Sequence, residues 1–227
     1  MKQNQRMEAN QNNIFPVWKP QMISSGDVVK TIKSKLNLKK VGHCGTLDPF
    51  AEGLLIVVSG SETESSDKYM SYVKTYKTVI TLGEQTDTLD NTGEIIRKKD
   101  VLNEKYDRQF IENILSSFTG KIKQRPPSFS AKKINGIRLY KLARKDVFIH
   151  LKPVEVLIED IKFISFENNE LSIEVRCQKG TYIRQLGYDI ARAMGTTGHL
   201  KSLIRTKIGS FNYENSINLK DIDSWSY

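Results

Sequence analysis

The sequence is poor in cysteine and has no long apolar run, and both absences narrow the classes of protein it can belong to. Two cysteines, Cys44 and Cys177, do not make a disulfide framework, and no Cys/His cluster has the spacing of zinc ligands. The longest strongly apolar run, residues 54–58, is far too short to cross a membrane, and the polar N-terminus shows no secretory signal. We therefore expect a protein of a reducing compartment, the cytoplasm or an organelle matrix, that needs neither a membrane nor a metal.

Positive charge, in contrast, is present in excess. The 227 residues carry 35 Lys and Arg against 26 Asp and Glu, a formal net charge of +9. Residues 121–152 alone contain ten Lys or Arg and a single acid, Asp146, so this segment accounts for the whole excess. A basic segment with interleaved aromatic residues favours a polyanionic partner, RNA or DNA above all, and an ordinary solvated basic surface is the alternative.

Hydrophobic periodicity predicts a single mixed α+β domain. Strands are predicted at residues 54–58, 75–82, 154–166 and 171–177, the last from a strict alternation of apolar and polar residues. Apolar residues at helical spacing predict helices after Ser25, over residues 108–118 and from about Tyr182. The polar residues 1–13 are predicted to be a disordered tail, and residues 121–152, with two prolines and little periodicity, a long basic loop or insertion.

The first segment with chemical potential is GHCGTLDPFAEGLL, residues 42–55. Glycines let the backbone approach a ligand closely, and the proline after Asp48 biases this acid away from helical geometry. A loop that presents one carboxylate is the functional interpretation, and a structured turn is the alternative.

Three further segments follow in the chain. KTYKTVITLGEQTDTLDNTG (residues 74–93) places Tyr76 on a strand, either as a core aromatic or as a stacking platform for a base. QRPPSFSAKKINGIRLYKLAR (residues 124–144) lies within the basic segment. KGTYIRQLGYD (residues 179–189) puts Arg184 in the first turn of a helix, where the dipole disfavours a cation, so an anionic partner would explain it. A salt bridge to any nearby acid is the alternative to a functional anionic partner.

Taken together and in this order, the four segments resemble the TruB family of tRNA pseudouridine synthases over residues 14–212. The resemblance implies an α+β fold with a central mixed, mainly antiparallel sheet flanked by helices. It implies the isomerisation of one uridine in the T arm of tRNA to pseudouridine, without cofactor or metal. In the reaction that this resemblance implies, the bond between a uracil nitrogen and the sugar breaks. The base then rotates while the enzyme holds it, and a uracil carbon forms the new bond to the sugar.

The same resemblance implies roles for individual residues. Asp48 corresponds to the catalytic nucleophile, which either attacks the sugar or acts in forming a glycal. Arg184 corresponds to the cationic partner of that acid, and Tyr76 to the aromatic residue that stacks on the flipped base. His43 corresponds to the residue that fills the space the base leaves. Two further residues, Tyr182 and Leu203, correspond to positions that line the pocket.

For RNA binding, residues 121–152 correspond to the family's insertion that closes on RNA. The residues expected to contact RNA are Lys19, Lys121, Lys123, Arg125, Lys132, Lys133, Arg138 and Arg144. Lys19, together with Pro20, is also expected to shape the loop beside the site rather than to take part in the chemistry. We expect residues 14–227 to form one catalytic domain that acts as a monomer, without the separate C-terminal RNA-binding domain that many members carry.

One departure from the family pattern concerns charge. Glu62-Thr-Glu64 stands where family members usually have a small residue, Thr and Lys, so an acid replaces a cation expected to face RNA. A non-catalytic tRNA-binding or folding protein on the same scaffold is the alternative function, and a guide-RNA-dependent relative ranks behind it. The intact Asp48, Tyr76 and Arg184 favour the enzyme.

Overall fold

The computed structural model describes residues 13–127, 129–130, 133–134, 136–143, 147, 149 and 151–224. Of the sequence predictions, the tail before residue 13 lies outside the described residues, and so do Lys132 and Arg144 of the expected RNA contacts. Lys133 and Arg138 fall in two short strands, and the structure describes the backbone of these two residues but not their side chains.

The described residues form thirteen strands. They are β1 (Ile14–Lys19), β2 (Val41–His43), β3 (Glu52–Ser59), β4 (Lys74–Leu82), β5 (Glu84–Thr86), β6 (Ile95–Lys98), β7 (Gly120–Gln124), β8 (Lys133–Ile134), β9 (Ile137–Arg138), β10 (Val154–Glu167), β11 (Glu170–Cys177), β12 (Gly198–Ile208) and β13 (Ile217–Asn218). The α-helices among them are α1 (Ser25–Lys35), α2 (Ser66–Ser71), α3 (Arg108–Ser116), α4 (Leu139–Ala143) and α5 (Ile183–Ala193). Short 3-10 helices cover Gly60–Ser65, Asn103–Lys105 and Leu219–Ser224.

Nine of these strands form one mixed sheet among the described residues, and most of its pairings are antiparallel, which confirms the predicted fold class. The chain divides into two compact units, one from the described parts of Met1–Tyr72 and Ile204–Tyr227, the other from Val73–Leu203. Strand β12 contributes its first residues to the second unit and its last residues to the first.

The first unit is built around β3, which pairs with β1 and β2 antiparallel and with the end of β12 parallel. Leu55 and Val57 pack with α1 on one face of β3, and Leu54, Ile56 and Val58 belong to a cluster on the other. Because apolar side chains cover both faces, this strand is a continuous apolar run rather than an alternating one. Burial of each such side chain contributes about 1.5–3 kcal/mol.

Helix α1 closes one of these clusters and begins with a capping box. The Ser24 hydroxyl accepts a hydrogen bond from the Asp27 N–H (3.1 Å), and the Asp27 carboxylate accepts one from the Ser24 N–H (3.4 Å). Reciprocal capping satisfies two N–H groups that the helix itself leaves without partners. The buried face of the helix presents Val28 and Ile32 to the cluster.

The second unit is an antiparallel arrangement in the order β4, β11, β10, β7, with the start of β12 beside β4. On β11, residues Leu171, Ile173, Val175 and Cys177 are buried while their neighbours are less so, as the alternation predicts. Helix α3 packs against β10, and α5 packs against β4. The predicted strands at residues 75–82 and 154–166 correspond to β4 and β10.

Residues 121–152, predicted as a long basic loop or insertion, contain regular elements in the part that the structure describes. The segment starts within β7, which pairs with β10 (Gln124 opposite Val154), and it continues through the β8–β9 hairpin and α4. In β7 the exposed Lys121 and Lys123 alternate with the half-buried Ile122. This alternation spans too few residues beside the two prolines to stand out as a strand in the sequence.

No helix among the described residues is both long and apolar enough to cross a membrane. Within the same part of the chain, no group of His, Cys, Asp and Glu side chains is placed to hold a metal ion.

Candidate active site

Asp48 lies in the loop between β2 and β3, in the first unit, and its side chain is half-buried. Backbone contacts fix the residues on either side of it. The Ser25 hydroxyl at the start of α1 both donates to the Leu47 carbonyl and accepts from the Leu47 N–H, each at 2.9 Å. The Pro49 carbonyl accepts a hydrogen bond from the Met22 N–H at 2.6 Å. The loop therefore presents its carboxylate from a fixed backbone.

Lys19, at the end of β1, is fully buried beneath this loop. Its ammonium donates to the carbonyls of Ala51 (2.6 Å), Pro20 (2.8 Å), Ile23 (2.9 Å) and Pro49 (3.4 Å). Burial lowers the pKa of Lys19 to about 8, with a smaller contribution from Arg205, while Asp48 and Glu52 act in the opposite direction. At neutral pH the side chain is still mainly a cation, which its four carbonyl partners require.

These contacts argue against the expected role of Lys19 in RNA binding. The ammonium has three N–H groups, and four backbone carbonyls already share them. No surface of the side chain is open to an RNA phosphate. Lys19 instead holds together the residues that flank Asp48.

Arg205 is a second buried cation at the same loop, and sequence reasoning missed it. Its guanidinium donates to the carbonyls of Leu54 (2.7 Å), Gly45 (3.2 Å) and Thr46 (3.3 Å). Its backbone pairs with Gly53, which has a φ of +114°, and a Cβ there would lie 2.4 Å from the Arg205 carbonyl oxygen. The only signal in the sequence is an arginine that follows the apolar residues Leu203 and Ile204, which does not reveal its carbonyl partners.

His43 occupies the last position of β2, opposite Val57 in β3, and is half-buried. The first unit thus contains the predicted nucleophile and the residue expected to fill the space of the flipped base.

In the second unit, Arg184 lies in the first turn of α5 with only 6% of its surface exposed. Its guanidinium donates to the carbonyls of Thr88 and Phe129, both at 2.6 Å, and lies 3.4 Å from the carboxylate of Asp90. The side chain of Asp90 is equally buried. The anionic partner that the helix position of Arg184 predicts is therefore present, and within this unit it is Asp90.

Asp90 also organises the turn that its segment forms. One of its carboxylate oxygens accepts hydrogen bonds from the Thr88 hydroxyl (2.8 Å), the Thr92 N–H (3.0 Å) and the Thr92 hydroxyl (2.6 Å). A Cβ at Gly93 would lie 2.2 Å from the Asp87 carboxylate and 2.9 Å from the Thr88 backbone nitrogen, so the turn has room only for glycine there. Sequence reasoning identified turn chemistry in this segment but missed Asp90 as a site residue, although the cation predicted at Arg184, in the first turn of a helix, called for such an acid.

The other residues predicted for the pocket also lie in the second unit. Tyr76 is a buried residue of β4 opposite Val175, and Leu203 is a buried residue of β12. Tyr182 is half-buried and forms the N-cap of α5, where its backbone contacts the side chain of Gln124.

The basic residues in β7 and directly after it face solvent, as RNA contacts require. Lys121 forms an ion pair with Glu155 at 3.2 Å, and both side chains are mostly exposed. Lys123 and Arg125 are exposed as well.

Both acids of the Glu62-Thr-Glu64 segment, which departs from the family pattern, have partners in the first unit. Glu62 accepts a hydrogen bond from the buried Tyr69 hydroxyl at 2.9 Å. Burial of the ring, reinforced by this contact, raises the pKa of Tyr69 to about 12. Glu64 pairs with Lys40 at 3.3 Å on the surface.

Comparison with known proteins gives a consistent result. The sequence profile described as "TruB family pseudouridylate synthase (N terminal domain)" matches residues 33–183. A protein of Clostridium tetani named tRNA pseudouridine synthase B is 42% identical over 212 residues, which are 93% of this chain and 73% of the relative. The protein of the same name from Mesoplasma florum is 36% identical over 215 residues, 94% of this chain and 74% of the relative.

Solved structures show the same fold. A chain in the crystal structure of a Cbf5-Nop10-Gar1 complex is similar with a TM-score of 0.73 and 28% identity, over 96% of this chain and 55% of that one. A chain in the structure of an H/ACA RNP bound to a substrate RNA containing 2′-deoxyuridine has a TM-score of 0.69 and 26% identity, over 93% and 52% of the two chains. The present chain spans about half the length of these two structures' chains.

The profile match extends over well more than half of the sequence, and the relatives exceed 30% identity along nearly all of it. The chain therefore belongs to the TruB family of pseudouridylate synthases.

Proposed function

We propose that this protein converts one uridine in the T loop of tRNA to pseudouridine, with Asp48 as the nucleophile. The proposal is carried by the position of Asp48 within the matched region, on a loop that two buried cations, Lys19 and Arg205, hold through its backbone carbonyls. Relatives named tRNA pseudouridine synthase B along nearly the whole chain support tRNA as the substrate.

The reaction breaks the bond between C1′ and N1 of the uridine and forms a bond between C1′ and C5. A proton leaves C5 and N1 gains one, so the composition of the RNA does not change and no oxidant or cofactor is consumed. Asp48 acts in the step that releases the uracil from C1′. Because its loop is already fixed, little conformational entropy is lost when the carboxylate meets the sugar.

The target base must leave its stack before a side chain can reach C1′, at a cost of roughly a few kcal/mol. We assign Tyr76 to stacking on the flipped base and His43 to filling the space it leaves. Arg184 is assigned as the cationic partner of Asp48 during the reaction. Tyr182 and Leu203 complete the set of substrate contacts.

Binding of tRNA is expected to depend on exposed cations of the basic segment. The double variant Lys123→Gln/Arg125→Gln removes two exposed charges that no described acid pairs with closely. We expect weaker binding and a slope of log K against log salt that is smaller by about 1 to 2, since each phosphate contact releases counterions. Filter binding of a tRNA transcript over a range of salt concentrations measures both quantities.

The control for this experiment is Lys30→Gln/Lys33→Gln, which removes the same charge from exposed positions of α1. An equal change of slope in both double variants would contradict a specific role for Lys123 and Arg125.

Reversing the charge at Glu64 is expected to strengthen tRNA binding. Glu64→Lys places a cation where family members usually have one, and we expect the Kd at low salt to fall by about 3- to 10-fold. Loss of the exposed pair with Lys40 costs at most about 1 kcal/mol of stability. Glu104→Lys, an exposed acid in the second unit, adds the same charge elsewhere. A gain of affinity as large in this control would show a general charge effect rather than a contact at residue 64.

The experiment that tests the proposed function is detection of pseudouridine by carbodiimide labelling and primer extension on an unmodified tRNA transcript. One new stop in the T loop, absent from a transcript whose target uridine is replaced by cytidine, is the expected result. A stop elsewhere would overturn the assigned site. No stop despite tight, salt-sensitive binding would favour the non-catalytic tRNA-binding protein.

A further inference from the structure

Gln124 makes an unusual contact within the second unit. It is the last residue of β7, its side chain is fully buried, and its carboxamide meets the backbone of Tyr182, 58 positions further along the chain. The carboxamide oxygen accepts from the Tyr182 N–H at 2.8 Å, and the carboxamide nitrogen donates to the Tyr182 carbonyl at 3.1 Å.

This contact lies at the start of a helix. Tyr182 is the N-cap residue of α5 and makes no side-chain cap hydrogen bond, so the helix start is held from outside. Only a group with a donor and an acceptor side by side can pair with both the N–H and the carbonyl of one residue. Among ordinary side chains of this length, glutamine meets the requirement, and glutamic acid meets it only when protonated.

The residues that follow Gln124 touch the same helix a second time. Two positions after Tyr182, the Arg184 guanidinium donates to the Phe129 carbonyl at 2.6 Å. The start of the basic segment therefore holds the first turn of α5 at two points, one at the Tyr182 backbone and one at the Arg184 side chain. Tyr182 and Arg184 are two of the residues to which we assign roles in the reaction.

We propose that Gln124 is a positioning residue for pseudouridine formation: its carboxamide fixes the Tyr182 peptide and thereby the first turn of α5, which carries Tyr182 and Arg184. The inference rests on the proposed function. Gln124 touches neither substrate nor reacting atoms in this scheme and acts through the helix. Its loss is expected to slow the chemical step more than it weakens RNA binding, because small misplacements of substrate contacts cost up to about 100-fold in rate.

The first test is Gln124→Glu, measured by the single-turnover rate of tritium release from C5-labelled uridine in tRNA at several pH values. A protonated carboxyl group can reproduce both hydrogen bonds, whereas a carboxylate repels the Tyr182 carbonyl, and burial favours the protonated form. We expect the ratio of the variant rate to the wild-type rate to approach one at about pH 6 and to fall by about 10-fold or more at about pH 9. The cations that flank position 124, Lys123 and Arg125, are the same in the variant and in the wild-type protein. The wild-type rate at each pH is therefore the reference.

The second variant, Gln124→Met, keeps the length of the side chain and removes both hydrogen bonds. Its rate is expected to fall by about 10- to 100-fold at every pH, with a Kd for tRNA within about 2-fold of wild type. Since it introduces no charge, it decides the question if Gln124→Glu unfolds at high pH. Gln109→Glu, at an exposed position of α3, is the matched control and should show no pH-dependent ratio.

Two results would overturn the inference while wild-type activity stands. One is a Gln124→Glu ratio that does not change with pH in a protein that circular dichroism shows to be folded. The other is a folded Gln124→Met variant with the wild-type rate, or with a loss that lies entirely in Kd. Absence of tritium release from the wild-type protein would instead refute the proposed function, so the two failures are distinguishable.

Discussion

Asp48→Asn is expected to abolish pseudouridine formation while leaving the fold and tRNA binding unchanged. The amide has nearly the same shape as the carboxylate but is not a nucleophile, and removal of a nucleophile costs on the order of 10⁴ or more in rate in other enzymes. The loop itself should survive. Its hydrogen bonds use the backbone of Leu47, Pro49 and Ala51, none of which the substitution alters.

Three measurements on the same preparation define this result: the single-turnover rate, the Kd for tRNA and the melting temperature. Asp67→Asn is the matched control, because Asp67 is an exposed acid on α2 of the same unit. Its rate should equal that of wild type. A rate for Asp48→Asn within about 10-fold of wild type would rule out the assignment of Asp48 as nucleophile.

The regular elements of the fold could be predicted where one periodicity dominates a segment. β11 alternates strictly, and α5 starts next to the predicted residue, Tyr182. The strand predicted at residues 54–58 is present, and only the structure shows why these residues form a continuous apolar run: apolar clusters cover both faces of the strand. β7 was not predicted because its alternation is short and its lysines belong to a longer basic run.

The residues of the candidate site could likewise be predicted where their immediate sequence neighbours identify them, and not where their partners are distant in the sequence. Asp48 and Arg184 stand out through their immediate neighbours, a proline and a helix start. The roles of Lys19 and Arg205 depend on carbonyl groups that the fold gathers from several segments, and every residue type has a carbonyl. No sequence pattern can therefore identify the carbonyl partners of a buried cation of this kind.

Asp90 is intermediate between these two cases, because the sequence predicts its turn but not its role in the site. Its replacement is the second substitution that we expect to have a large effect. In Asp90→Asn, the amide oxygen can still accept from the Thr88 hydroxyl and from Thr92, so the turn keeps its hydrogen bonds. What disappears is the negative charge 3.4 Å from the Arg184 guanidinium, where both side chains are more than 90% buried. Removal of one partner of a buried ion pair typically costs about 3–5 kcal/mol of stability.

Chemical denaturation of Asp90→Asn, Arg184→Met and the double variant separates this ion pair from other effects of each substitution. We expect the double variant to lose less free energy of unfolding than the sum of the two single variants, with a coupling of about 1–3 kcal/mol. Asp87→Asn is the control within the same turn, since the Asp87 carboxylate is exposed and accepts from the Glu94 N–H (2.9 Å), as an amide oxygen also can. Additive losses in the cycle would mean that the two charges do not stabilise each other.

The activity of these variants links the ion pair to the reaction. If Asp90 serves only to keep the second unit folded, Asp90→Asn should regain the wild-type single-turnover rate under conditions where it is fully folded. If the pair also holds Arg184 in the orientation that the substrate needs, the folded variant should remain slower by about 100-fold, the scale of a misplaced contact group. We expect the second outcome, because the Thr88 and Phe129 carbonyls, which also accept hydrogen bonds from the Arg184 guanidinium, are neutral and do not supply the charge that Asp90 supplies.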